Sequence, residues 1–123
     1  MAVRAPVILL VLFLLSACNQ GTVDPAAAVE RYLTAKVTGD RQTLQRLLCS
    51  DMEADIEREV RSFEGVSQAH LEGMDCRPDG DGSIVRCRGM IVAAYGSEQS
   101  EFPLGAYRVT WEDGEWKWCG ETR

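Results

Sequence analysis

What the 123-residue chain lacks narrows its reading quickly. It has no apolar run of the roughly 20 residues that a helix needs to cross the hydrocarbon of a bilayer; the stretch from Ala5 to Leu15 is about half as long. His70 is its sole histidine and no Cys-x-x-Cys pair occurs, so the ligand spacing of a structural zinc site is missing and no metal is expected. No Gly-x-Ser-x-Gly is present, which removes the strained elbow that exposes a serine nucleophile. No motif implies a cofactor. Lys and Arg number 13 and are scattered along the chain against 19 Asp and Glu, for a formal charge of −6. Such a surface argues against nucleic acid as a partner and against flat docking on anionic lipid headgroups. There is no internal repeat, and no biased segment beyond Ala26 to Ala28.

The first residues have an order of their own. A short basic region ends at Arg4, the apolar stretch follows, and the chain then reads Leu15-Ser16-Ala17-Cys18 before turning polar at Asn19, Gln20 and Gly21. That is the layout of an export signal. Leu15 and two small residues directly before a cysteine resemble the lipobox of bacterial lipoproteins. The resemblance implies cleavage after Ala17, diacylation of Cys18 through a thioether, and acylation of its new amino group with a chain such as palmitate. Two or three acyl chains anchor stably, since each buried methylene contributes about 0.8 kcal/mol and one chain holds only marginally. The expected division is a signal peptide over 1–17, a lipidated cysteine and tether over 18–23, and one folded domain over 24–123. The location implied is the extracytoplasmic face of the cell envelope. Asn19 after Cys18 points, in envelopes with two membranes, to release to the outer one.

With Cys18 assigned to lipid, Cys49, Cys76, Cys87 and Cys119 form an even set in an oxidising compartment, so two disulfides are expected. Cys76 and Cys87 lie symmetrically about Asp79-Gly80-Asp81-Gly82, which favours that pairing and leaves Cys49 with Cys119. On the chain-entropy account the short bridge is worth about 3 kcal/mol and the long one somewhat above 4. Asp79 to Gly82 faintly matches a calcium loop, but the further ligands and the terminal glutamate are missing, so a turn is expected.

Three helices are expected in succession. Asp24 then Pro25 is an N-cap followed by proline at the first helical position, where its missing N–H is no loss. Val29, Tyr32, Leu33 and Val37 follow at helical spacing, and Gly39 supplies the stop. Asp40 caps a second helix with Leu44, Leu47 and Leu48 on its apolar side. A third starts at a Ser50/Glu53 capping box and buries Met52, Ile56, Val60 and Phe63, ending at Gly65; its acidic side is a solvated face with pairs such as Glu57 with Arg61.

Past Gly65 the pattern turns to strands, expected from about Ala69 to Cys76, Ile84 to Tyr95, Leu104 to Trp111 and Glu115 to Cys119. Asp113-Gly114 is a two-residue hairpin signal. Pairing Trp111 with Trp116 sets Val109 opposite Trp118 and puts Tyr107, Val109, Trp111, Trp116 and Trp118 on one face, the expected core side. Cys119 falls on the other face, so a bridge to Cys49 calls for the strand end to twist or fray.

Helices first and then a meandering antiparallel sheet ending in Tyr107-Arg-Val-Thr-Trp-Glu-Asp-Gly-Glu-Trp-Lys-Trp118 resemble the NTF2-like, cystatin-like α+β cone. Pro25 through Leu33 and Gly39-Asp40 with Leu44 and Leu47 carry the rest of the likeness. It is particularly similar to small bacterial lipoproteins with one such domain. The resemblance implies N-terminal helices packed on a curved antiparallel sheet of about four strands, around a mainly apolar cavity. Members use that cavity as a catalytic pocket, as in ketosteroid isomerase and scytalone dehydratase, or as a binding or dimerisation surface.

Two expectations follow, with a dimerisation module on the outer sheet face as a third. The first is an envelope lipoprotein, non-catalytic, that binds a small apolar molecule or a protein partner; Trp111, Trp116 and Trp118 are candidates for an aromatic wall. The second is an enzyme of the isomerase or dehydratase type acting on a small apolar substrate. For it, His70 and Glu72, two apart on one strand face with Met74, could form a proton-transfer pair, and Asp75 with Tyr32, Tyr95 and Tyr107 could supply an acid and hydroxyls. None of these lies in a transferable catalytic motif. For the anchor, Cys18→Ser is expected to abolish incorporation of labelled palmitate and to leave the protein out of the membrane fraction. Label retained by the variant overturns the lipobox reading.

Overall fold

The computed structural model describes residue 2 and residues 24–122; the expected signal, the lipidation site Cys18 and the tether lie outside the described residues. Asp24 accepts the N–H of Ala26 at 2.9 Å and opens α1, Pro25–Thr38. Gly39, at φ 68°, closes it in the left-handed conformation that favours glycine. Asp40 accepts the N–H of Thr43 and caps α2, Arg41–Leu47, whose Leu44 and Leu47 are fully buried.

The third helix departs from expectation. Ser50–Asp55 is a 3₁₀ helix, followed by a five-residue α3, Ile56–Val60. No Ser50/Glu53 capping box forms: the Ser50 N–H and hydroxyl both donate to Glu112 of the sheet, each at 3.0 Å. A 3₁₀ helix turns about 20° more per residue than an α-helix, so its six residues advance the helical phase by about 120°. The expected stripe of Met52, Ile56, Val60 and Phe63 is therefore only half-buried, and the buried residue of α3 is Glu59.

The sheet has five antiparallel strands: β1 Gln68–Asp79, β2 Ile84–Tyr95, β3 Glu98–Pro103, β4 Ala106–Glu112 and β5 Glu115–Glu121. Their order is β1-β2-β4-β5, with β3 also on β2. One edge of β2 is shared: Ile84 to Arg86 pair with β4, and Met90 to Tyr95 pair with β3. β3 is the strand missing from the sequence reading. Its Glu-Gln-Ser-Glu-Phe-Pro shows almost no burial and no apolar alternation, so only its pairing defines it.

Cys76 stands opposite Cys87 and the two are bonded. Cys49 is bonded to Cys119, and β5 does not fray to allow it. Leu48 pairs in parallel with Trp118, and the Cys49 N–H donates to the Trp118 carbonyl at 2.9 Å. The chain leaving α2 thus runs beside β5, which brings the cysteine Cα atoms to 5.3 Å. Lys117 anchors the same edge, its buried ammonium donating to the Arg46 carbonyl and pairing with Glu115 at 3.2 Å.

Trp111 opposes Trp116 and Val109 opposes Trp118, as the hairpin signal implies. Tyr107, Val109 and Trp118 are buried, whereas Trp111 is 51% exposed. The hairpin tip carries Trp111 past the last core layer, where it meets only the edge of Trp116. Among the described residues the core runs from Ala26 to Trp118, and both bridges lie within residues 24–122.

A bulge between Glu72 and Asp75 bends β1 against β2. Gly89, at φ 105°, sits across it, and a Cβ there would lie 2.6 Å from the Glu72 carbonyl oxygen. Gly89→Ala combines that clash with a backbone conformation worth about 1–3 kcal/mol of strain on its own. The expected result is a loss of at least about 2 kcal/mol, read as a fall in the denaturant midpoint at unchanged slope.

Candidate functional site

The curved sheet and the helices enclose a cavity of about 510 Å³, within the range of small-molecule sites. Leu33 and Lys36 come from the second half of α1, where the i, i+3 spacing points both the same way. Ile91, Leu104 and Tyr107 form its apolar wall, and Tyr95 and Phe102 stand half-exposed at its rim. Phe63 closes over the rim and meets Phe102 edge to face, with ring centroids 6.1 Å apart. Three cations, Lys36, Arg58 and Arg61, line the cavity against one carboxylate, Glu121.

Beneath this mouth is a buried charged cluster. The Tyr32 hydroxyl donates to Glu59 Oε2 at 2.8 Å, and Lys36 Nζ lies 3.0 Å from the same oxygen. Arg58 Nε is 4.0 Å from Oε1. Glu59 thus has both oxygens engaged while its side chain is only 5% exposed, which is how a buried charge is tolerated. The ammonium of Lys36 also stands 5.7 Å from the centre of the Trp118 ring, itself stacked on Tyr32 at 4.1 Å. Burial first, then the charge and hydrogen bond of Glu59, push the Tyr32 phenol far above its ordinary range. Tyr32 is therefore a fixed donor and not a base. Burial likewise raises Tyr107, whose hydroxyl accepts the Gly105 N–H at 3.3 Å.

The residues singled out in the sequence fall elsewhere. His70 and Glu72 do pair, Nε2 to Oε1 at 2.8 Å, but both side chains are more than half exposed. Met74 does not share their face: the bulge at Gly73 shifts the alternation, so Met74 packs with Leu71 against the core. Asp75 lies 3.3 Å from Arg77 and does not line the cavity. Trp111, Trp116 and Trp118 form no cavity wall. Asp79 pairs with Arg86 at 2.7 Å, and Asp81 accepts the Ser83 N–H, closing an ordinary turn. Glu57 lies 3.9 Å from Arg61, but its closer partner is Arg41, which binds it through two hydrogen bonds.

What sequence reasoning missed is Glu59 with Lys36 and Arg58. Glu59 reads as one more acid of a solvated face because the stripe was drawn at uniform α-helical period. The 3₁₀ turn that rotates it inward leaves no mark in residue pattern.

No family model matches the sequence, and no curated protein matches it. Among solved structures, the chain is similar to that of an M. tuberculosis LEH-like epoxide hydrolase, at 18% identity and a TM-score of 0.55. The likeness covers 79% of this chain and 82% of the other. It shows the fold, an α+β cone of the NTF2-like kind, and at that identity nothing finer.

The Tyr32 cluster has a consequence at high pH. The unfolded chain releases a tyrosine proton near pH 10, whereas the folded chain keeps that of Tyr32. Its contribution is fully present below pH 10 and falls by about 1.4 kcal/mol per pH unit above it. Tyr32→Phe is expected to lower stability at neutral pH yet flatten its decline between pH 10 and 11, measured by urea unfolding at each pH. An unchanged slope excludes the Glu59 latch.

Proposed function

We propose that this chain is an envelope lipoprotein, anchored through Cys18 on the extracytoplasmic side, whose cone binds a small amphiphile without transforming it. The observation that carries the reading is the cavity's composition: an apolar wall of Leu33, Ile91, Leu104 and Tyr107 beneath Lys36, Arg58 and Arg61. That combination suits a molecule with an apolar body and an acidic head, since burial holds the body while the cations orient the head. Glu59, the buried carboxylate beneath the cavity, is already held by Tyr32 and Lys36, which leaves it poorly placed to move a proton.

A second reading, an enzyme acting on a small apolar substrate, is favoured by the similarity in fold to an LEH-like epoxide hydrolase. His70, Glu72 and Asp75 give it no support, because none reaches the cavity. For catalysis, it would draw on Glu121, the carboxylate that lines the cavity, or on Glu59 and Tyr32 beneath it.

Calorimetric titration of residues 19–123 with decanoate and with decanol separates these ideas. Decanoate is expected to bind at least about tenfold more tightly, as for one charge-assisted contact, and Arg58→Gln with Arg61→Gln to erase the difference. Equal affinity for both compounds removes the acidic-head assignment, and binding of neither removes the cavity reading. Incubation with a small apolar epoxide is expected to yield no diol. Turnover lost in Glu59→Gln would establish the enzyme instead.

A further inference from the structure

Folding gathers four arginines that are scattered in the sequence. Arg77 stands opposite Arg86, and Asp75 opposite Arg88, across β1 and β2; Arg108 stands opposite Ile84 across β2 and β4. Residues directly opposite share a sheet face. Cys76, Val85, Cys87 and Tyr107 alternate with these positions and face the core, so all four arginines lie on the outer face, and all are exposed. Two carboxylates stand among them: Asp75 is 3.3 Å from Arg77, and Asp79 is 2.7 Å from Arg86. Among the described residues, Arg88 and Arg108 have no ion-pair partner. Four guanidiniums against two carboxylates leave the patch positive on an acidic chain. Arg77, Arg86 and Arg88 line a shallow hollow of about 400 Å³. Like charges directly opposite one another weaken a sheet, so Arg77 beside Arg86 is not what strand pairing alone selects.

The chain's point of entry lies at the same end. A Cβ on Gly82, in the β1–β2 turn, would meet Pro25 at 3.5 Å, so the segment ahead of Asp24 departs beside that turn. Arg77 and Arg86 are the paired residues two steps inside it.

We infer that this outer face docks on the phosphates of anionic lipid headgroups and so turns the arginine patch toward the bilayer. The chemistry is that of guanidinium, whose planar fork matches phosphate oxygens two at a time. A bilayer is the occupant because the five residues from Asn19 to Val23, at most about 20 Å when extended, would hold this end at the headgroups. The net charge of −6 makes the molecule as a whole unattracted to such a surface, so the contact is local and orienting. The inference rests on the proposed anchor for its occupant and direction, while its test dispenses with the anchor.

The test is flotation of oxidised residues 19–123 with vesicles of phosphatidylcholine alone and of phosphatidylcholine mixed with phosphatidylglycerol. Binding is expected only to the mixed vesicles, weakening as salt is raised. It is expected to fall at least about tenfold in Arg88→Gln with Arg108→Gln, whose side chains hold no ion pair and leave the fold intact by circular dichroism. The control Arg31→Gln with Arg41→Gln removes the same charge elsewhere and is expected to keep binding. Equal loss in the control, or equal binding to phosphatidylcholine alone, overturns the docking face. Displacement from the vesicles by inorganic phosphate also overturns it and assigns a soluble-phosphate site. None of these outcomes bears on the decanoate titration, which reads the cavity on the other face of the sheet.

Discussion

Trp118 is the point at which helices and sheet are joined. Its ring is stacked on Tyr32 from α1, tilted against Tyr107 from β4, and approached by the Lys36 ammonium. Its backbone carbonyl receives the Cys49 N–H, and the next residue is bonded to Cys49. One residue of β5 thus fixes α1 above the sheet and the end of α2 beside it. The indole N–H has no acceptor among the described residues, so stacking and apolar contact, not a hydrogen bond, hold the ring in place.

The site follows from that junction. Because Tyr32 lies on Trp118, its hydroxyl is delivered to one place, and Glu59 is the group that meets it. Glu59 in turn holds Lys36 at 3.0 Å, while Arg58, 4.0 Å from its other oxygen, lies closer to Asp55, at 3.3 Å. A buried carboxylate thus fixes one of the three cavity cations, Lys36, and the two arginines pair with acids of their own segment, Asp55, Glu57 and Glu64. Removing one member of the buried Tyr32, Glu59 and Lys36 group costs several kcal/mol, whereas the more exposed Arg58 and Arg61 are held only by weak surface pairs.

Features encoded in a few adjacent residues were legible in the sequence: Asp24-Pro25 and Gly39-Asp40 as helix ends, Asp113-Gly114 as a hairpin, Cys76 and Cys87 flanking a turn. Each is decided by local backbone chemistry. Features that depend on accumulated geometry were not. The phase of α3 is set by a 3₁₀ segment that no residue type announces. β3 exists because β2 offers it an edge, not because Glu98–Pro103 has strand character. Strict alternation puts Met74 on the face of His70, but a bulge reverses it, and the reversal depends on Gly73 and Gly89 meeting across two strands. The cavity cations were invisible for the same reason: Lys36, Arg58 and Arg61 come together only after Tyr32 and Glu59 do.

Charge shows the same lesson on the scale of the molecule. Seven of the 13 Lys and Arg occupy two places, three at the cavity and four on the outer sheet face. The average of −6 describes neither. The two places lie on opposite faces of the sheet: Leu104 and Tyr107 line the cavity, and Gly105, Ala106 and Arg108 between and beside them belong to the arginine side. On the proposed docking, the cavity lies on the face of the sheet turned away from the bilayer, and a ligand reaches it through water. An acidic head suits that route, because a molecule that must cross water to the cone needs a soluble end, and that end is what Lys36, Arg58 and Arg61 are placed to meet.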